Sequence, residues 1–371
     1  MSDRRSLRVA ILAPAFWPEV RRGGERLVRE LADDLIARGH RPRLITSHPG
    51  PPSRTEEDGL PIVRSWRPPA ARLRRREFED YLTHVPFSYR ELSRGDDEIA
   101  HATHHPDAVA AARWSKRTGR PSLLTFLGLP TRVGLAGRRM RAELLWRATR
   151  ECSATVAISR TAADGFRRWL GTEARVIYPS VDLGVFTAGD ERTPEPTILC
   201  VADASAENKR VPLLIEAHAH VRRARPGARL LLQRPADPVL AARLAASGPG
   251  VELVDPGGDR DALAALYRTS WVSALPSWGE AFGLVLVEAL ACGTPVVGSD
   301  LGAIPEVVDR DSIGRLFSGS DAAALAGALL GALELAEDPY TRAACRERAA
   351  DFSTQRMGEE YERLYLELLD R

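Results

Sequence analysis

Short β-branched or leucine-rich runs alternate with longer amphipathic stretches along almost the whole chain. That alternation predicts parallel sheets with crossover helices. In the first half, LRVAILAP (7–14), RLITS (43–47), PIVRSW (61–66), SLLTFLG (122–128), TVAIS (155–159) and RVIYP (175–179) read as strands. Helices fit near 24–38, 106–118, 138–151 and 160–170; in the first of these Leu27, Leu31, Leu35 and Ile36 share a face and Gly39 is the stop. In the second half, strands fit TILCVAD (197–203), ARLLLQR (228–234), VELVD (251–255), WVSALPS (271–277), PVVGSD (295–300) and IGRLF (313–317), with helices beginning near 211, 238, 260, 283 and 321. Residues 353–370 read as one last amphipathic helix with no strand to follow it. The expected fold class is therefore α/β, with two similar open domains in tandem.

Length supports that division. A chain of 371 residues is too long for one ordinary core and suits two domains of about 150–200 residues. The segment 178–197, rich in Pro, Gly and charge, is the expected linker. No window approaches a membrane span, and the basic start is too soon interrupted by charge and Pro18 to read as a signal peptide. Four scattered cysteines, without C-x-x-C or histidine at ligand spacing, suggest reduced thiols, a cytosolic location and no metal site.

Charge changes the picture further. Residues 1–178 carry 33 Lys+Arg against 21 Asp+Glu, a net of +12, while the rest carries a net of −10. A basic half commonly faces an anion, although opposite charges also help two domains face each other. Of the 52 basic residues only Lys116 and Lys209 are lysine.

The chemistry centres on GEAFGLVLVEALACGTP (279–295). Glu280 precedes a predicted helix at the carboxyl end of a strand, where open α/β sheets bind ligands. Glu288 lies about two turns inside that helix, in an apolar run that would bury it. The first amides, at Phe282, Gly283 and Leu284, form an expected anion site. Carboxylates on either side suit diols, so the pattern describes a phosphate flanked by hydroxyls, as in a nucleotide sugar. Lys209 and Arg210 stand between the strand 197–203 and the next helix, two cations suited to a diphosphate leaving group. Gly23 and Gly24 lie between the first strand and first helix, although G-x-G-x-x-G is absent. In SDLGAIPEVV (299–308), Gly302 turns the chain before another short helix.

These elements, in this order, resemble the retaining glycosyltransferases of family 4, which have the GT-B fold. The resemblance rests on GGERLVRELADDLIARGH, YPSVDLGVF, ENKRVPLLIEA and, most specifically, the E-x7-E stretch GEAFGLVLVEALACGTPVVGSDLGAIPEVV. It implies two tandem Rossmann-like domains with a cleft between them: an acceptor-binding domain, 1–178, completed by a returning helix, 353–371, and a donor-binding domain, 179–352. It implies a hexosyltransferase that takes a UDP-sugar first, or GDP-mannose second, and an unspecified small-molecule, glycan or lipid-linked acceptor. Glu280 would hold the donor sugar, Glu288 the ribose, and Lys209 with Arg210 the departing diphosphate. The amides of Gly23–Gly24 and Phe282–Leu284 would cradle it, and the turn near Asp255 would contact the base. No metal, cofactor or nucleic acid is expected.

The sequence departs from the family pattern at TFLGLP, where Leu127 stands at the place of the usual histidine, and at VADAS, where Asp203 replaces an arginine. His101, His104 and His105 are acceptor-side candidates for the missing imidazole. The alternatives are an epimerase or phosphorylase of this fold, a solute-binding module, and a catalytically degenerate partner subunit. Arg-rich RLRRREF (72–78) and GRRMRAELLWRATR (137–150) raise a peripheral contact with anionic membrane on the inner face, with Met140, Leu144, Leu145 and Ala148 as the expected lipid-facing stripe.

Overall fold

A computed structural model describes residues 5–20, 23–69, 75–189 and 192–371. Residues 21–22 and residues 72–74 of the first Arg-rich stretch lie outside the described residues. The chain divides into two compact units, Met1–Ser180 with Thr354–Arg371, and Val181–Ser353.

The first unit is an eight-stranded sheet of β1 (Arg8–Leu12), β2 (Arg41–His48), β3 (Ser53–Glu57), β4 (Leu60–Trp66), β5 (Ile99–Ala102), β6 (Ser122–Phe126), β7 (Ala154–Ala157) and β8 (Arg175–Val176). Their order is β3-β4-β2-β1-β5-β6-β7-β8. All pairs are parallel except the hairpin β3–β4. Its turn places Asp58 and Gly59 at positive φ, the geometry that an Asp-Gly pair favours between strands. β3 escaped prediction because SRTEE has no apolar alternation to read.

Helices cover both faces, as parallel strands require. On one face, Val9, Ile11 and Leu44 pack with Leu27, Leu31 and Leu35 of the helix Gly23–Ala37. The same cluster takes Met357, Tyr361, Leu364, Tyr365 and Leu368 from the helix Thr354–Leu369. The final helix thus finds its apolar partner in the first unit's sheet. Gly358 makes the approach possible, since a Cβ there would fall on the Asp34 carboxylate. Arg38 then reaches Glu362 at 3.1 Å and the Gln355 carbonyl at 2.9 Å.

On the other face, Leu145 and Ala148 of the helix Arg141–Glu151 join Ala108, Ala111 and Trp114. Leu144 is buried as well. This corrects the expected lipid-facing stripe: apart from Met140, which is exposed, those residues are core.

His101 is also corrected. It is fully buried, with Nδ1 2.8 Å from the Tyr365 hydroxyl and Nε2 2.8 Å from Thr125 Oγ1, which is itself 2.9 Å from the Tyr361 hydroxyl. It joins the sheet to the last helix and has no acceptor-side role.

The second unit is a six-stranded parallel sheet of β9 (Thr197–Cys200), β10 (Arg229–Gln233), β11 (Val251–Val254), β12 (Val272–Leu275), β13 (Val296–Ser299) and β14 (Gly314–Phe317). The order is β11-β10-β9-β12-β13-β14. The helix Thr341–Ala350 was not anticipated, because it buries only Thr341, Cys345 and Ala349 and shows no broad apolar face.

Burial pushes the His101 pKa down to about 3. The folded protein holds this imidazole neutral while the unfolded chain protonates it below its ordinary value near 6.5. Its stabilising contribution is full above that value and fades as pH falls toward 3. Between pH 8 and pH 5 the loss is about 2 kcal/mol. Urea unfolding at the two pH values is expected to show a loss about 2 kcal/mol smaller in His101→Gln than in the wild type.

Candidate functional site

In the second unit the chain lays down β9, β10 and β11 in one direction, then places β12 on the other side of β9. The connections leaving β9 and β12 therefore part in opposite directions. This topological switch point is where open α/β sheets leave room for a ligand. Lys209 follows β9 and Glu280 follows β12. The structure brings them together, with Lys209 Nζ 2.7 Å from Glu280 Oε2. The side chains are 24% and 17% exposed.

Several backbone contacts fix this pair. Trp278 N donates to the Asn208 carbonyl at 2.9 Å, tying the loop after β12 to the turn after β9. Gly302, at φ 64°, brings the loop after β13 against Glu280, and a Cβ there would lie 2.7 Å from the Glu280 carbonyl oxygen. Ala303 N donates to that same oxygen at 3.0 Å. Asp203 accepts from the Ser205 amide at 2.9 Å and its hydroxyl at 2.6 Å, so it shapes the turn before Lys209.

The helix after Glu280 runs Leu284–Ala291, so of the three amides expected at its start only that of Leu284 belongs to it. Gly283 is its N-cap at φ 99°, a conformation that favours glycine. Phe282 lies outside the helix, buried edge-on against Phe352 with ring centroids 5.3 Å apart. The amides that open this helix are therefore those from Leu284 onward. Glu288 is 2% exposed, and Tyr267 donates its hydroxyl to Oε2 at 3.1 Å. The predicted burial of this carboxylate comes with a polar partner, as its cost demands.

Arg210 departs from expectation. Its Nε donates to the Pro276 carbonyl at 2.6 Å and Nη1 to the Gly319 carbonyl at 3.0 Å, with the guanidinium 5.3 Å from the centre of the Phe317 ring. It braces the loops around the site, and only the buried Nη2 lacks a hydrogen-bond partner. Burial lowers its pKa, against the opposing pull of Asp300. Asp255 closes a local turn by accepting from the Gly257 amide at 2.9 Å.

The first unit has its own switch point, between β1 and β5. There, and at the end of β6, a cavity of about 300 Å³ is lined by residues that include Glu79, Tyr81, His104, His105, Leu127 and Arg141. His104 Nδ1 is buried without a hydrogen-bond partner, and burial pushes its pKa down to about 4, so a neutral ring lines the cavity. His105 Nε2 lies 3.4 Å from Glu79 Oε2, and Arg141 Nη2 reaches Oε1 at 3.1 Å. Burial alone would raise the Glu79 pKa, but His105 and Arg141 outweigh it and hold it near 2. Sequence reasoning missed Glu79 and Arg141, because nothing in either local pattern pairs them.

Gly23 and Gly24 begin the helix Gly23–Ala37. A Cβ on Gly24 would lie 2.9 Å from Leu127 Cδ1, so the side chain at the histidine's usual place packs over this glycine.

The comparisons with known proteins agree with this architecture. A family described as Glycosyltransferase Family 4 matches residues 21–185, and one described as Glycosyl transferases group 1 matches residues 195–335. A D-inositol 3-phosphate glycosyltransferase of Mycobacterium sp. (strain JLS) is 33% identical over 197 residues, covering 48% of this chain and 43% of that protein. Its counterpart in Mycolicibacterium vanbaalenii is 35% identical over 200 residues, covering 48% and 44%. The match thus spans less than half the length of these curated relatives. Among solved structures, sucrose-phosphate synthase of Thermosynechococcus elongatus is similar at a TM-score of 0.80 and 22% identity, covering 99% of this chain and 100% of that one. Anabaena HepE, solved in complex with UDP and glucose, is similar at 0.70 and 17%, covering 96% and 99%. Two parallel-sheet units, the paired Lys209 and Glu280, and the two family matches have one reading: the chain belongs to glycosyltransferase family 4 and has the GT-B fold.

Proposed function

We propose that this protein is a retaining hexosyltransferase that uses a nucleoside-diphosphate sugar, a UDP-sugar first and GDP-mannose second. The observation that carries this reading is the Lys209–Glu280 pair at the β9/β12 switch point, beside the amides that open the helix Leu284–Ala291. Without ligand the two side chains neutralise each other. A bound donor separates their tasks: Lys209 takes the diphosphate, and Glu280 is freed to accept hydrogen bonds from the sugar hydroxyls. Arg210 holds the surrounding loops and offers only Nη2 to the anion. Glu288 is the ribose partner, reached when the diol displaces the Tyr267 hydroxyl.

In the proposed reaction an acceptor hydroxyl attacks the anomeric carbon on the face the diphosphate leaves. The carbon–oxygen bond to phosphate breaks, the new glycosidic bond forms, and a phosphate oxygen takes the acceptor proton. Configuration is retained. Lys209 and the helix dipole supply the positive charge, so the reading needs neither metal nor cofactor. The acceptor belongs in the first unit's cavity, where neutral His104 and the Tyr81 ring suit a hydroxylated group. A cytoplasmic location goes with this reading.

A second reading is favoured by Leu127 lying over Gly24: a sugar-nucleotide-binding protein without transferase activity. Slow hydrolysis of the bound donor separates the two, because a degenerate subunit gives none.

Thermal shift against UDP, GDP and ADP, with and without a chelator, tests donor binding. At 100 times its dissociation constant the right nucleotide stabilises by about 2.7 kcal/mol. The shift is expected to survive chelation and to vanish in Lys209→Ala. Glu280→Gln is expected to keep the shift while lowering kcat at least about tenfold, since it loses hydrogen bonds that strengthen in the transition state.

Tyr267→Phe tests the ribose contact. Loss of the hydroxyl leaves Glu288 short of a donor and costs about 1–3 kcal/mol in urea unfolding. If the ribose diol takes that hydroxyl's place, saturating nucleotide recovers part of the loss. An equal nucleotide shift in wild type and variant would remove Glu288 from the donor site.

A further inference from the structure

Two arginine-rich stretches far apart in the chain meet on the first unit. Arg139 N donates to the Glu77 carbonyl at 2.7 Å and Glu79 N to the Arg139 carbonyl at 3.1 Å, so residues 77–79 lie alongside Arg139. The Arg139 guanidinium lies 5.4 Å from the centre of the Phe78 ring. Exposed Arg75 and Arg76 immediately precede this paired segment on one side, as Arg138 precedes Arg139 on the other.

The same segment carries apolar side chains that the fold does not cover. The short helix Arg132–Ala136 buries none of its residues, and Val133 is 82% exposed. Met140 and Trp146 are 43% and 47% exposed. Trp146 is on the face of the helix Arg141–Glu151 opposite the buried Leu144, Leu145 and Ala148, with Arg150 5.0 Å from its ring centre. Acidic side chains are nearby but fewer: Glu77 and Glu143 are exposed, Glu151 pairs with Arg147 at 3.0 Å, and Asp80 lies 3.9 Å from Arg138.

A solvated basic face needs no exposed tryptophan, methionine and valine among its arginines. A face that settles into the headgroup layer needs both, apolar side chains to enter the acyl boundary and cations to meet anionic lipid. Gly134, Leu135 and Arg141, in the same stretch, line the first unit's cavity. We infer that the surface formed by residues 75–78 and 132–150 docks on an anionic lipid bilayer, and that it does so at the cavity's rim, where an acceptor held in that bilayer is within reach. The second clause rests on the cavity being the acceptor site; the docking itself does not.

The test is co-sedimentation of the full chain with vesicles of phosphatidylcholine alone or with about one third phosphatidylglycerol. At low salt at least about tenfold more protein is expected on the anionic vesicles, and this preference is expected to disappear near ~0.5 M salt as the charges are screened. A Val133→Ser/Met140→Ser/Trp146→Ser variant, and separately an Arg75→Ser/Arg76→Ser/Arg138→Ser variant, are each expected to bind about tenfold less. Both should keep the wild-type circular dichroism and the nucleotide thermal shift, so loss of docking is separable from loss of the donor site. The proposal is overturned if anionic vesicles bind no more protein than neutral ones. It is overturned equally if the apolar variant binds as wild type while heparin displaces both, which would make the surface a general polyanion patch.

Discussion

Parallel pairing sends the carboxyl ends of neighbouring strands to one edge of the sheet. Where the strand order reverses, the connections diverge and leave that edge open. The second unit depends on this constraint. β9 and β12 are neighbours in the sheet, although β10 and β11 intervene in sequence, and that reversal brings the loops carrying Lys209 and Glu280 together. A carboxylate and an ammonium 2.7 Å apart and partly exposed form a pair of modest worth to stability. On the proposed reading its value lies in pre-organisation, with each charge already positioned for a ligand that bears the opposite chemistry on its two sides.

The surrounding residues read as supports for that pair. Gly302 allows one loop to close on the Glu280 backbone, and Asn208 anchors the other through Trp278. Arg210 shows why adjacent cations are not equivalent. Its planar fork suits carbonyl oxygens in two loops at once, and the structure uses it so, whereas the flexible lysine stem leaves its point charge facing the site. A sequence with only two lysines has kept one of them where a guanidinium would be drawn into bracing.

Much of this was legible from residues alone. Strong apolar runs marked every buried strand of the second unit, and the E-x7-E stretch pointed to both its carboxylates. What escaped had a physical reason. β5 is four residues long, with buried His101 interrupting its apolar signal, and β3 is a polar edge strand. Phe282 was read into the helix because nothing in a linear pattern separates a buried loop aromatic from a helical one. His101, His104 and His105 looked alike as letters. Burial made the first a link to Tyr365, left the second facing a cavity, and set the third against Glu79.

The helix Arg141–Glu151 shows most clearly why composition alone misplaces a surface. An amphipathic helix has one broad apolar face, and in a folded domain that face belongs to the core. Leu144, Leu145 and Ala148 obey that rule, so none of them remains to meet lipid. The candidate membrane face must then come from residues the helical pattern does not group: Trp146 on the far side, Met140 at the cap, and Val133 on a helix too short to bury anything. Their common feature is that the fold leaves them uncovered among arginines brought from two stretches of chain. That juxtaposition is tertiary, made by the pairing of residues 77–79 with Arg139, and no window of sequence contains it.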